Sequence, residues 1–302
     1  MIGPGDDAAV IEPERGALDV LTTDALVEGV HFDCRFVPPD AIGHRALAVN
    51  VSDLAAMGAR PRAALLSLAL PEALDVAFVD GMMDGMLALA RSHRIAIVGG
   101  NITRSPGPLM IDVTAIGSVK RRRALARSGA RPGDEVYVTG TIGDALVGLR
   151  SLQQGKIYCA VCQERYLRPE PRVRVGLLLG RSRAASACMD LSDGLADGIR
   201  QVAEASRVGM TIDAGAIPMS DETRYWHERH GTDPVAAAIS GGDDYELLFT
   251  VRPSARGRLR AVLKDSRGVP ITRIGLVTRE PRIVLRTSQG ERALPEGFEH
   301  FR

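Results

Sequence analysis

Along ALDVLTTDALVEGVHF (residues 17–32) a short apolar run ends in Thr22, Thr23 and Asp24, which predicts a strand delivering polar groups at its end. PPDAIGHRALAVNVSDLAAMGARP follows with apolar residues at helical spacing, Asp40 as N-cap, and Gly58 then Pro61 as stop signals. That helix places Asn50, Asp53 and Met57 on one face. AALLSLALPEALDVAFVDGMMDGMLALA is the most apolar stretch, yet Pro71, Glu72, Asp75 and Asp80 break it well short of a membrane span. It predicts a strand and then a buried helix over roughly 73–92. RIAIVGGN predicts a strand running into a Gly-Gly turn, and LMIDVTAIGSV a further strand, alternating and β-branched.

The basic run KRRRALARSGARPGDEV then changes the composition sharply, and a domain boundary is expected within it. The expected division is an N-terminal domain over 1–125 and a C-terminal α/β domain over 126–302. EVYVTG opens the second half as a strand, residues 141 to 185 are helical with breaks at Pro169 and Pro171, and ASACMDLSDGLADGIRQVAEAS predicts strand, turn and a helix capped by Ser192 or Asp193. AISGGDDYELLFTV repeats the turn-and-strand theme, with Tyr245, Leu247 and Phe249 on one face and Glu246 and Leu248 on the other. Helix alternating with strand in this way predicts an α/β or α+β fold.

With 302 residues and 45% hydrophobic content the chain buries a sizeable core. Its net charge of +1 comes from 38 basic and 37 acidic residues, so no nucleic-acid partner is expected, and Lys120 to Arg123 read as a solvated face. Four cysteines and no basic, apolar leader before the first motif predict a cytoplasmic protein with no disulfide framework and no membrane partner. Cys159 and Cys162 form a C-x-x-C without a second pair or well-placed histidines, which argues against structural zinc and for ordinary thiols.

Since the total charge is balanced, the acids must be read by position. Five places share one pattern, small residues or glycines beside acids at a strand end or helix mouth: Asp6/Asp7, Thr22-Thr23-Asp24, Asp53, Asp190-Leu191-Ser192-Asp193 and residues 241–246. One such place is an ordinary cap or turn; several together concentrate negative charge that calls for cations. Oxygen ligands without a His and Cys set select Mg²⁺, Mn²⁺ or Ca²⁺ over zinc, and Mg²⁺ is usually held together with substrate phosphates. A polyphosphate such as ATP is therefore the expected substrate. Neither G-x-x-x-x-G-K-[ST] nor G-x-G-x-x-G occurs, so the phosphates would lie on metals, on the Gly99-Gly100 backbone and at the helix opened by Ser192, with Arg104 and Arg127 as basic groups.

Taken in order, GPGDDAAV, TTDALVEGVHF, ALAVNVSDLAAMGARP, GGNITRSPGPL, RSGARPGDEVYVTG, CMDLSDGLADGI, SGGDDYELLFTV and EGFEHF closely resemble the thiamine-monophosphate kinases, from residue 3 to residue 301. The wider group includes aminoimidazole ribonucleotide synthetase and selenophosphate synthetase. The resemblance implies a two-domain aminoimidazole ribonucleotide synthetase-like fold, with an N-terminal mixed sheet forming a barrel in a homodimer and a C-terminal α/β domain. It implies direct transfer of the ATP γ-phosphate to thiamine monophosphate, dependent on several Mg²⁺ ions and without a phosphoenzyme.

Carried over by motif, the implied metal ligands are Asp7, Thr22, Thr23, Asp24, Asp53, Asn101, Asp190 and Asp193, with Asp53, Asp190 and Asp193 central to catalysis. Gly100, Asn101, Arg127 and Ser192 are the implied ATP contacts, and His31, Glu246 and Phe298 the implied contacts to thiamine phosphate. Alone, His31 reads as a polar residue at a strand end and Glu246 as an edge or solvent-facing position. Asn101 departs from the family, where many members carry Asp in a Gly-Gly-Asp-Thr-Thr turn, so one negative charge is lost. The family usually has a short helical segment ahead of GDD, which implies a shortened start here. Two further readings stay open: another ATP-dependent synthetase of the group, and a non-catalytic binder of nucleotide or thiamine phosphate.

Overall fold

The computed structural model describes residues 3–5 and 7–297, in two compact units. The first comprises 1–54, 59–122 and 167–171, and the second 55–58, 123–166 and 172–302, so each borrows a short piece from across the basic run.

The first unit runs β1 (Ala17–Val27), α1 (Pro39–Ala56), β2 (Arg60–Pro71), α2 (Val76–His93), β3 (Ala96–Ser105) and β4 (Met110–Lys120). Its four strands are ordered β1-β4-β2-β3, and only β2 and β3, joined by the α2 crossover, are parallel. Leu66, Leu68, Ile111, Val113 and Ala115 are buried along alternate positions of β2 and β4, as are Leu47 and Leu54 of α1 and Met82 and Met86 of α2. Helices α1 and α2 lie close enough that only glycine fits at two points. A Cβ on Gly43 would stand 1.7 Å from the Met82 carbonyl oxygen, and one on Gly85 1.8 Å from that of Asp40.

Several local expectations shift. Strand β1 continues through Thr22-Thr23-Asp24 to Val27, because β4 pairs with it along its whole length. Strand β3 likewise runs straight through Gly99-Gly100 to Ser105, its register against β2 slipping by one residue beside them, so there is no Gly-Gly turn. Asp40 lies within the first turn of α1, one residue into the helix, and its carboxylate pairs with Arg168. Helix α2 starts at Val76, later than residue 73, because Asp75 caps it by accepting from the Phe78 N–H at 2.7 Å.

The second unit contains β5 (Glu135–Thr139), α3 (Asp144–Gln153), α4 (Ala160–Leu167), α5 (Val173–Ser182), β6 (Ala185–Asp190), α6 (Leu195–Ser206), β7 (Gly209–Asp213), α7 (Asp221–Arg229), α8 (Pro234–Ser240), β8 (Leu247–Val251), α9 (Arg256–Asp265), β9 (Ile271–Thr278), β10 (Ile283–Thr287) and β11 (Gly290–Ala293). Its strands are ordered β11-β10-β7-β9-β5-β8-β6, antiparallel except for β10 beside β7. Both faces are covered. Val136, Val138, Met189 and Leu248 join a core with Ile199 and Val202 of α6, while Cys188, Leu247, Phe249 and Val251 join another with Leu179 of α5 and Leu259 of α9. The α/β (α+β) class read from the alternation is the one observed.

Two other corrections belong here. Gly194, and neither Ser192 nor Asp193, occupies the cap position of α6. Cys159 and Cys162, read as ordinary thiols, form a disulfide, because the start of α4 brings their Cα atoms to 5.2 Å. No helix among the described residues is long and apolar enough to cross a membrane.

The α1–α2 contact makes a direct test. Gly43→Ala forces a methyl into a carbonyl that backbone alone can move, and should lower unfolding stability by about 2 kcal/mol in urea denaturation. The nearby Ala48→Gly change would not reproduce this steric effect, so a wild-type midpoint for Gly43→Ala would mean the helices stand farther apart.

Candidate active site

In the first unit the acids are sorted by the pleat of β1. Thr22 donates its hydroxyl proton to Asp53 Oδ2, tying the strand to α1. Asp24, two residues on, shares that face and is half-buried. Thr23 stands on the opposite face, with its Oγ1 3.2 Å from Asp112 Oδ1 and 3.0 Å from Thr114 Oγ1. Asn101 of β3 is in register with Ser67, which flanks buried Leu66 and Leu68, and so belongs to Thr23's face. The structure therefore groups Thr22, Asp24 and Asp53 and sets Thr23 and Asn101 apart from them. Asp7 is exposed near the start of the chain.

Gly100 owes its identity to packing, since a Cβ there would lie 1.8 Å from the Leu66 carbonyl oxygen. His31 sits in the turn after β1, where its Nδ1 accepts the Val27 N–H at 3.1 Å. A neutral ring in that position carries its proton on Nε2. Close by, burial and the Glu28 carboxylate push the Cys34 thiol up to about 12.

In the second unit two acidic loops are stitched together by backbone. The Leu191 N–H donates to the Glu246 carbonyl at 2.9 Å, the Tyr245 N–H to the Leu191 carbonyl at 3.0 Å, and the Asp243 N–H to the Ser192 carbonyl at 2.7 Å. The approach is close: a Cβ on Gly194 or on Gly242 would lie 2.5 Å from the carbonyl oxygen of Gly241 or Ser192 respectively. Asp243 and Tyr245 hold φ of +69° and +49°, left-handed values that cost a non-glycine residue about 1 kcal/mol or more. Asp190 is buried at the end of β6, and Ser192 and Asp193 are half-buried in the turn that follows. Arg127 is fixed from the side, its Nη1 donating to Gln201 Oε1 at 2.5 Å while Gln201 donates to Asp197.

Glu246 lies inward, only 2% exposed. Its carboxylate accepts from Arg172 Nε at 2.6 Å, Arg172 Nη2 at 2.5 Å and Thr139 Oγ1 at 2.5 Å. Phe298 lies outside the described residues. Beneath the same loop, Asp244 takes the Gly143 N–H on both oxygens, at 3.1 and 2.9 Å. Burial, together with the charges of Asp144 and Glu246, pushes its carboxyl well above the usual carboxylate range, against the hydrogen bonds from Gly143 and Ala145. Asp144 accepts from Thr141, Ser220 and Thr223 at 2.5, 2.5 and 2.6 Å. Arg172, Thr139 and Asp144 were not singled out from sequence, and Asp244 was read only as one of the acids of the 241–246 stretch. The one available signal was that a Glu in an apolar strand needs a buried cation, and PEPRVRV offers Arg172.

The grouped donors are all carboxylate and hydroxyl oxygens, which suits a hard cation. Among the described residues no three His, Cys, Asp or Glu side chains gather into a metal cage. Pairs of carboxylates are what Mg²⁺ uses when phosphates and water complete its shell, so the residues fit that ion.

Comparison with known proteins follows the same lines. The AIR synthase related protein N-terminal domain matches residues 5–119 and the corresponding C-terminal domain residues 131–288. The thiamine-monophosphate kinase of Escherichia coli (strain K12) is 41% identical over 99% of this chain and 92% of its own. The crystal structure of thiamine-monophosphate kinase from Stenotrophomonas maltophilia K279a superposes with a TM-score of 0.86 at 41% identity, covering 94% of this chain and 90% of that one. AaThiL complexed with AMPPCP and TMP superposes with a TM-score of 0.85 at 34% identity, covering 97% and 90%.

The raised carboxyl of Asp244 sets a pH dependence. An acid whose pKa is higher folded than unfolded adds stability in full below its unfolded pKa of about 4, and that contribution is lost as pH rises through the folded value. Asp244→Asn should therefore gain on the wild type steadily from about pH 4 upward in urea midpoints. A difference that stays constant across pH would show that Asp244 is not held protonated by burial.

Proposed function

Because the chain belongs to the thiamine-monophosphate kinases within the AIR synthase related family, we propose a division of its chemistry between named residues of the two units. The protein is an ATP-dependent kinase that phosphorylates thiamine monophosphate to thiamine diphosphate. The observation that carries this is likeness to kinases of that name over nearly the whole of both chains, which fold alone, shared across many chemistries, does not provide.

In the first unit, Thr22, Asp24 and Asp53, with Asp7, would hold Mg²⁺, and in the second Asp190 and Asp193 would do so. The bound ions would neutralise charge spreading over the transferred phosphoryl oxygens. The Thr22 hydroxyl fixes the rotamer of Asp53, so that carboxylate is oriented before substrate arrives. Gln201 steers the Arg127 guanidinium, which carries positive charge for ATP phosphates, and Ser192 offers a hydroxyl in the loop before α6. His31 presents an imidazole suited to the phosphate of the acceptor. Glu246 acts at one remove: with Arg172 and Thr139 it holds up the loop that carries Asp243, Asp244 and Tyr245. Thr23, Asn101 and Gly100 fall outside this set, for reasons of face and packing. Transfer is direct, since no nucleophilic side chain is needed between the two phosphates.

We also place the protein in the cytoplasm as a homodimer that joins through the outer face of the β1-β4-β2-β3 sheet. Leu21 is 67% exposed and Leu65 36% exposed on that face, with Thr23, Thr114 and Ile116 between them in register.

Incubation with ATP, Mg²⁺ and thiamine monophosphate should yield thiamine diphosphate by chromatography; nucleotide binding without product would sink the reading. Asp53→Ala should cut turnover by about 100-fold or more while the circular dichroism and urea midpoint stay near wild type. Light scattering should give twice the chain mass of 32.3 kDa, and Leu21→Asp with Leu65→Asp should bring it to one chain. A wild type already at one chain would exclude the dimer.

A further inference from the structure

The disulfide lies away from the acidic loops but is joined to them. Cys159 is the residue before α4, and its Sγ accepts the Cys162 N–H at 3.0 Å, as a helix-capping group does. The pair is packed with Val147 of α3, and Trp226 of α7 lies against it. Helix α3 meets it tightly: a Cβ on Gly148 would stand 2.0 Å from the Cys162 carbonyl oxygen. Ser151, one turn along α3, bonds the Lys156 carbonyl, accepts the Tyr158 N–H at 3.2 Å and accepts from Gln163 at 2.9 Å. The two helices that grip the disulfide are the ones that hold the acidic loop. Asp144 at the start of α3 takes Ser220 and Thr223 from α7, and Gly143 beside it donates to Asp244.

From this arrangement we infer that Cys159–Cys162 is a reversible thiol–disulfide site, reduced by dithiols, whose state is transmitted through α3 and α7 to the loop of residues 241–246. In a cytoplasmic protein a disulfide is usually catalytic or redox-sensing, and no substrate chemistry here calls on it. Cys159 is 7% exposed and Cys162 fully buried, so an incoming thiolate attacks Cys159 Sγ and expels Cys162 as thiolate. The second thiol of the reductant then attacks the mixed disulfide. Its own disulfide forms, Cys159 leaves as thiolate, and both cysteines take protons: two electrons and two protons enter the protein.

The surroundings can respond. Among the described residues, Trp226 Nε1 and His227 Nε2 are buried without a hydrogen-bond partner, and such orphaned groups leave a packing open to displacement. Trp226 stacks on His230 at 4.1 Å, and His230 meets Tyr158 edge-on at 6.1 Å, so the ring cluster spans α7 and the segment that leads into the disulfide. Cys34 and Cys188 do not compete, because burial raises both thiols far above neutrality.

Trp226 is the chain's single tryptophan, which gives the site its own reporter. The full-length protein is equilibrated in mixtures of reduced and oxidised dithiothreitol, alkylated with iodoacetamide and digested. Reduction should add two labels to the 159–162 peptide, raise Trp226 emission as the quenching disulfide opens, and lower the thermal midpoint by roughly 5 °C, all reversed on re-oxidation. The Cys159→Ser/Cys162→Ser double variant should show none of these responses. Two free thiols at every ratio would overturn the site, as would an emission change that persists in the double variant. The effect on turnover rests on the kinase reading: reduction should change kcat or KM at least threefold in the wild type and leave the double variant unmoved. Labels that move while turnover does not would overturn the transmission; absence of turnover in every form would count against the kinase reading, and the labels would still decide the redox site.

Discussion

Burying Glu246 is the constraint on which the second unit turns. A carboxylate 2% exposed needs a full set of partners, and Arg172 meets it with a two-pronged ion pair while Thr139 supplies a third donor. Removing one partner of such a pair typically costs about 3–5 kcal/mol, because the other charge is left stranded. The same Thr139 hydroxyl accepts the Leu247 N–H at 2.8 Å, so β5, β8 and the start of α5 are tied at one point. Glu246 follows Asp243 and Tyr245 in the loop, whose left-handed backbone would relax if nothing held it.

From that anchor the second acidic loop is reached through a set of main-chain hydrogen bonds. Backbone bonds from residues 243, 245 and 191 hold the Asp190-to-Asp193 turn in register with the 241–246 loop, and glycines at 194 and 242 allow the chains to come close enough. The acids are thus set by main chain, which cannot swing as side-chain ties do. A rigid frame of this kind suits phosphoryl transfer, where positioning and charge supply most of the catalysis.

How much of this was legible depends on whether the feature is periodic. The amphipathic helices and the alternating strands were readable because burial follows a period of 3.6 or 2, and the acid-bearing motifs stood out through their glycines. Strand ends were less legible: β1 runs past Asp24 and β3 past Gly100 because β4 and β2 pair with them, a long-range fact no local window holds. The Gly194 cap, the Glu246–Arg172 pair and the disulfide were missed for a similar reason. Each joins residues through tertiary placement, and a C-x-x-C alone does not say whether its helix start draws the two sulfurs together.

The Thr22-Thr23-Asp24 motif shows what a strand adds to a motif. Read as a cluster at a strand end, its three residues would serve one site. Inside a strand with period 2 they are divided, Thr22 and Asp24 toward Asp53 and Thr23 toward Asp112, Thr114 and the outer face. One strand therefore carries the proposed metal ligands on one side and the proposed dimer surface on the other. Since a one-residue slip of β1 against β4 would exchange those faces, the register that buries Leu26 also decides which threonine meets Asp53. The proposed dimer surface and the proposed metal ligands would then share a common structural cause, the pairing of β1 with β4.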